Sequence, residues 1–109
     1  MPETIFGKIA RGEIEVEIVY EDEICVAFPD IAPQAPTHIL VIPREPFEDA
    51  TTADASTLGH VLEVAAKIGK ERCPNGFRLV TNIGDEGGQS VPHLHIHVLG
   101  GRAMNWPPG

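Results

Sequence analysis

The run "HLHIHV", residues 93 to 98, constrains the fold most. Polar and apolar side chains alternate there with a period of two. That period belongs to a β-strand, whose successive side chains point to opposite faces. Leu94, Ile96 and Val98 therefore feed one face, and His93, His95 and His97 share the other. Three of the chain's five histidines stand in this one segment. Just before it lies "NIGDEGGQS", a loop in which Gly84, Gly87 and Gly88 permit conformations that turn backbone amides toward an anion. Pro92 favours an extended Val91, so the strand is expected to begin there.

Three readings fit such a strand. The first is a polar face without chemistry. The second is a metal site. Alternate strand residues are roughly 6.6 Å apart, so two neighbouring imidazoles can meet on one zinc ion and all three cannot easily do so. A closed site needs a further ligand such as His38 or Asp30. The third is nucleophilic attack on phosphorus by a neutral imidazole, with its neighbours fixing its tautomer and stabilising phosphoryl oxygens. Gln89 and Ser90 place neutral donors at the mouth of this strand.

The rest of the chain reads as one α+β domain of 109 residues. Thr4 caps a short helix over "TIFGKIARG", with Ile5, Phe6 and Ile9 on one face and Gly12 as its stop. "EIEVEIVYEDEICVAF" alternates charge with β-branched residues and predicts a hairpin turning at "YEDEI", with Glu13, Glu15 and Glu17 on a solvated face. "PDIAPQAP" carries three prolines and is neither helix nor central strand. "THILVIP" (37 to 43) is an apolar strand. "DASTLGHVLEVAAKIGKERC" has Leu58, Val61, Leu62, Ala65 and Ile68 at helical spacing, with Asp54 or Thr52 as cap. "FRLVTNIG" (77 to 84) and "HLHIHVLGG" are the last strands. The expected arrangement is a mostly antiparallel sheet with its helices on one face.

The net charge of −8, from 16 acidic and 8 basic residues, disfavours nucleic acid and anionic membranes as partners. No basic residue lies in the glycine-rich loop, so an anion bound there is small and held by neutral donors. No stretch is long and apolar enough to span a membrane. "MPETIFGKIARGE" lacks a signal peptide's basic start and apolar centre, so a cytoplasmic location is expected. Cys25 and Cys73 read as free buried thiols.

"QSVPHLHIHVLGG" resembles the signature of the histidine triad family. "TIFGKI", "FPDIAPQAPTHILVIP", "NIGDEGGQSV" and "GGRAMNWPPG" further resemble its Hint branch, the nucleoside phosphoramidases. The resemblance runs from Thr4 to Gly109. It implies a single domain over residues 1–109, with a five-stranded sheet, one short helix and one long one. It also implies a homodimer joined through a ten-stranded sheet, with the tail 102–109 reaching the partner's site. The implied activity is hydrolysis of the P–N bond of purine nucleoside phosphoramidates, and of aminoacyl-adenylates, releasing AMP or GMP without a metal or cofactor. His95 would be the nucleophile, His97 would contact the phosphate or assist the leaving group, His93 would orient His95, and His38 would support the triad. Asp30 would hold the ribose hydroxyls. Ile5, Phe6, Ile9, Phe28 and Ile31 would line the base pocket. Asn82, Gly88, Gln89 and Ser90 would hold the phosphate and ribose side, and Ser90 would also assist departure of the amine. Trp106 would shape the partner's leaving-group pocket. Arg44, Glu45 and Pro46 depart from the family's pattern and bear on leaving-group preference. His60 falls outside the triad pattern and reads as structural. The rival functions are a non-catalytic zinc- or nucleotide-binding partner protein and a dinucleoside polyphosphate hydrolase.

Overall fold

A computed structural model describes residues 3–109. Met1 and Pro2, which open the segment read for a leader, lie outside the described residues. The chain forms α1 (Ile5–Ala10), β1 (Tyr20–Glu21), β2 (Cys25–Pro29), β3 (Thr37–Pro43), α2 (Ala55–Arg72), β4 (Phe77–Val80) and β5 (Ile96–Gly100). The five strands make one sheet in the order β1-β2-β3-β5-β4, and every neighbouring pair is antiparallel.

The sheet is apolar on both faces, and each face has its own helix. Cys25 and Ala27 of β2, Ile39 and Val41 of β3, and Leu94, Ile96 and Val98 pack under Val61, Val64, Ala65 and Ile68 of α2. The intervening residues Val26, Phe28, Leu40 and Ile42 pack under Phe6, Ile9 and Ala10 of α1. The helices therefore lie on opposite faces, not on one as expected from sequence. The reason is visible in β2 and β3, whose "CVAF" and "HILVIP" are buried throughout and so need cover on both sides.

At six residues, α1 is too short to be stable alone. The Thr4 hydroxyl accepts from the Gly7 amide at 3.0 Å and caps its start. Gly12, at φ +76°, turns the chain at its end. Burial of Phe6 and Ile9 contributes roughly 1.5–3 kcal/mol each. Arg44 adds a tether: it donates to the Ala10 carbonyl at 2.9 Å, to the Asp22 carbonyl at 2.7 Å and to Glu21. Asp54, not Thr52, caps α2 by accepting from the Thr57 amide.

Three strand boundaries differ from expectation. The long hairpin shrinks to Tyr20–Glu21 paired with Val26 and Ala27. Before it, Ile14 and Val16 lie over the α1-side core as a covering layer. Glu13, Glu15 and Glu17 are exposed, as expected, and Arg11 donates to Glu13. β4 ends at Val80, where the Thr81 hydroxyl takes over by donating to the His95 carbonyl at 2.9 Å. β5 begins at Ile96, not at Pro92 or His93. Cys25 and Cys73 are free and buried, as expected.

Candidate functional site

Side-chain alternation persists upstream of the regular ladder of β5. Leu94, Ile96 and Val98 face α2, while the histidine rings lie on the α1 side. That side is not a solvated surface. His93 and His95 are buried, and His97 is half-buried. Phe6 of α1 sets its ring against both His93 and His95, with centroids 6.3 and 4.9 Å apart. His95 and His97 meet edge to face at 4.9 Å. His38 reaches the group from β3, where Leu40 stands opposite His97.

Hydrogen-bond partners assign the ring tautomers. His93 Nε2 lies 2.8 Å from the Pro43 carbonyl, which only accepts, so this nitrogen carries the proton. Its Nδ1 is buried without a partner among the described residues. His95 Nδ1 lies 2.7 Å from the His93 carbonyl and likewise carries the proton. His95 Nε2 is therefore left with a free lone pair. On the other side, the Gln34 amide donates to His38 Nδ1 at 3.0 Å. His38 must then donate through Nε2, to His97 Nδ1 at 2.8 Å. His97 consequently carries its own proton on Nε2. The two rings differ at the same atom: His95 Nε2 is a base and His97 Nε2 is a donor.

Burial keeps these rings neutral. Desolvation lowers the pKa of His38, His93 and His95, against the opposing pull of Asp30 on His38 and His95 and of the Pro43 and His93 carbonyls on their partners. His97 falls to about 4, first from desolvation and then from the neighbouring rings of His95 and His38. Neutral imidazole is thus the resting state at pH 7.

His95 and His97 open onto a cleft of about 740 Å³ between α1, the 14–17 segment and the end of β2. Ile5, Phe6, Ile9 and Phe28 form its apolar walls, with Asp30, Ile31 and Ser90 at its rim. Ile31 is 94% exposed, an unusual setting for an isoleucine. His38 and His93 stand behind the lining. The side chains of Asn82 and Gln89 serve the loop itself. Asn82 donates to the Gly87 carbonyl, and Gln89 bonds Glu48, Val91 and Gly84. The amides of Gly88 and Gln89 close back on Asp85 and Gly84. Of the loop residues singled out from sequence, Ser90 alone lines the cleft. Trp106 is 83% exposed and does not line it. Ile14, Glu15, Val16, Glu17, Pro29, Leu40 and Val91 also line it, which was not expected from sequence. Sequence reading also missed the Gln34 amide that orients His38. Backbone donors carry no signal in residue type.

Asp30, His38 and His97 could hold a metal by proximity alone. Their geometry serves hydrogen bonding better. Two nitrogens on one tetrahedral zinc at ~2.0 Å stand about 3.3 Å apart, whereas the His38–His97 pair is at 2.8 Å with a shared proton. His38 is also fixed from behind by the Gln34 amide. On the opposite face of the sheet, His60 of α2 lies 2.7 Å from Asp22, which agrees with a structural role.

A HIT domain family model matches residues 11–104. An uncharacterized HIT-like protein of Synechococcus elongatus is 55% identical over 98% of this chain and 97% of its own length. A maize protein named a 14 kDa zinc-binding protein is 51% identical over 97% of this chain and 88% of its own. The crystal structure of a HIT family hydrolase from Legionella pneumophila superposes with a TM-score of 0.92 at 43% identity, covering 98% of this chain and 100% of the other.

Proposed function

The chain belongs to the HIT domain family, and from that premise we propose that it is a hydrolase of purine nucleoside 5′-phosphoramidates acting through a nucleotidyl-histidine. The observation that carries this reading is the tautomer of His95. Its Nδ1 proton is committed to the His93 carbonyl, so the Nε2 lone pair faces the cleft. A neutral, oriented imidazole is the form that attacks phosphorus. Spacing alone is symmetric and could not choose among the three histidines; the hydrogen bonds favour the middle one.

In the first step His95 Nε2 bonds to phosphorus as the P–N bond breaks. The departing amine takes a proton from solvent through the Ser90 hydroxyl at the cleft mouth. The imidazolium so formed keeps its Nδ1–H on the His93 carbonyl, which stabilises the positive charge. His97 Nε2–H donates to a phosphoryl oxygen, backed by the His38 donor behind it. Water then attacks phosphorus and gives up a proton to solvent, the bond to His95 breaks to restore the neutral imidazole, and the nucleotide leaves. Asp30 has a carboxylate suited to two adjacent ribose hydroxyls. A purine between Phe6, Phe28 and Ile9 would cover the exposed Ile31. Asn82, Gly88 and Gln89 then act by holding Ser90 in place. Trp106, free of its own cleft, fits a contribution from the tail to the site of a second copy in a dimer. The fold's similarity to the Legionella hydrolase supports the hydrolase class.

Release of AMP from adenosine 5′-phosphoramidate, with retention of nucleotide binding but loss of turnover in His95→Ala, tests the proposal. Preference for a dinucleoside polyphosphate over the phosphoramidate would favour the neighbouring hydrolase activity instead.

A further inference from the structure

A second polar cluster lies across the sheet from the histidine rings. The side chains of Asp22, Cys25 and His60 bring a carboxylate oxygen, a thiol sulfur and an imidazole nitrogen within 4.8 Å of one another. They come from three places: the turn after β1, the first residue of β2, and the second turn of α2. We propose that these three residues form a zinc site that clips the β1–β2 turn to α2, separate from the catalytic face.

The donor set is the first argument. Oxygen, nitrogen and sulfur together suit zinc, whereas calcium and magnesium take oxygen. The second is access. Cys25 is fully buried and forms the floor, while the Asp22 and His60 side chains are about one quarter exposed, so the cluster reaches the surface through them. The third is that the cluster can rearrange. His60 and Asp22 are 2.7 Å apart, sharing a proton, and zinc requires about 3.3 Å between ligand atoms. His60 makes no other side-chain hydrogen bond among the described residues, so its proton can move to Nδ1 and its ring can withdraw. The Asp30–His38–His97 trio lacks this freedom, because the Gln34 amide holds His38 from behind. The fourth is that the carboxylate is already aimed. The amides of Ile24 and Cys25 donate to Asp22 Oδ1 at 2.8 Å each, leaving Oδ2 toward His60 and Tyr20. Those amides are the outer partners that a metal-binding carboxylate needs.

Binding replaces two contacts and releases one proton. The thiol proton of Cys25 leaves to solvent as the S–Zn bond forms. The His60 proton shifts to Nδ1 as Nε2 binds the ion. Asp22 stays an anion, and water completes the tetrahedron. No electron is transferred.

The test is titration of the metal-stripped full chain with Co²⁺, followed by competition with Zn²⁺. The wild type is expected to show a near-ultraviolet thiolate-to-cobalt charge-transfer band that Zn²⁺ displaces, and a zinc-dependent rise in melting temperature. Cys25→Ser should lose the band. His60→Ala should weaken affinity by more than the ~10–100-fold that loss of an outer partner costs. Cys73→Ser and His97→Ala should keep both signals. If Cys25→Ser fails to fold, His60→Ala and Asp22→Asn decide. A band absent from the wild type overturns the proposal. So does a band that survives in His60→Ala at unchanged affinity, or one lost in Cys73→Ser. These readouts do not depend on turnover, so the site and the phosphoramidase reading can fail separately.

Discussion

Replacing Gly87 with alanine separates the loop's effect on chemistry from its effect on stability. A Cβ on Gly87 would stand 2.2 Å from the Ile83 carbonyl oxygen and 3.0 Å from the Ile83 nitrogen and carbonyl carbon. That is roughly 1 Å inside ordinary C···O contact. The obstacle is backbone, which cannot rotate away as a side chain would, so the loop must open by about that amount. The Asn82–Gly87, Gly88–Asp85 and Gln89–Gly84 hydrogen bonds close the same loop and would loosen with it. The loop is exposed, so the global cost is only ~1–2 kcal/mol, a fall of a few degrees in melting temperature. Ser90 follows directly and lines the cleft. A displacement of ~1 Å at a reacting centre costs on the order of 10²-fold in rate. Gly87→Ala should therefore lose about 100-fold in kcat on adenosine 5′-phosphoramidate while remaining folded. Glu86→Ala, next to it, should change neither. Full turnover by folded Gly87→Ala would refute the claim that this loop positions Ser90 for the reaction.

Gly69→Ala should destabilise by ~1–3 kcal/mol in urea unfolding, less up to ~1 kcal/mol of helix-propensity gain, because the new methyl meets the Phe77 ring at 2.3–2.6 Å; equal or greater stability would contradict the packing of α2 on β4. Acid should weaken the fold. The four histidines are harder to protonate folded than unfolded, so their contribution is complete above the ordinary value of 6.5 and falls as pH drops toward about 4 for His97. Melting temperatures flat from pH 7 to 4 would contradict this. His38→Ala should lower kcat by about tenfold or more with KM little changed, short of the ~10²–10⁴-fold expected from removing a proton-transfer group. A change confined to KM would place His38 in ground-state binding instead.

Local periodicity carried much of this fold. The helical spacing of Val61, Ala65 and Ile68 marked α2, and the apolar run at Ile39–Pro43 marked β3. The alternation at His93–Val98 assigned each side chain to its correct face even though regular pairing starts only at Ile96. The segment Glu13–Val19 was misread for a physical reason. A stretch covering a sheet face and a strand within the sheet both alternate apolar with polar side chains. Only pairing distinguishes them, and pairing depends on residues distant in the chain. The side occupied by α1 was hidden for a similar reason: Ile5, Phe6 and Ile9 form an apolar stripe that would fit either face. The triad histidines were legible as residues, but their division of labour was not. That division comes from the carbonyls of His93 and Pro43 and the amide of Gln34, which any residue type would supply. Family resemblance, not spacing, singled out His95, and the hydrogen bonds add only that its proton sits on Nδ1 and its Nε2 is free.

The most direct test of the central claim is turnover of adenosine 5′-phosphoramidate by metal-stripped wild-type protein beside His95→Ala. AMP release by the wild type alone is expected, with nucleotide binding preserved in the variant. AMP release by both proteins, or by neither, would contradict His95 as the nucleophile of a phosphoramidase.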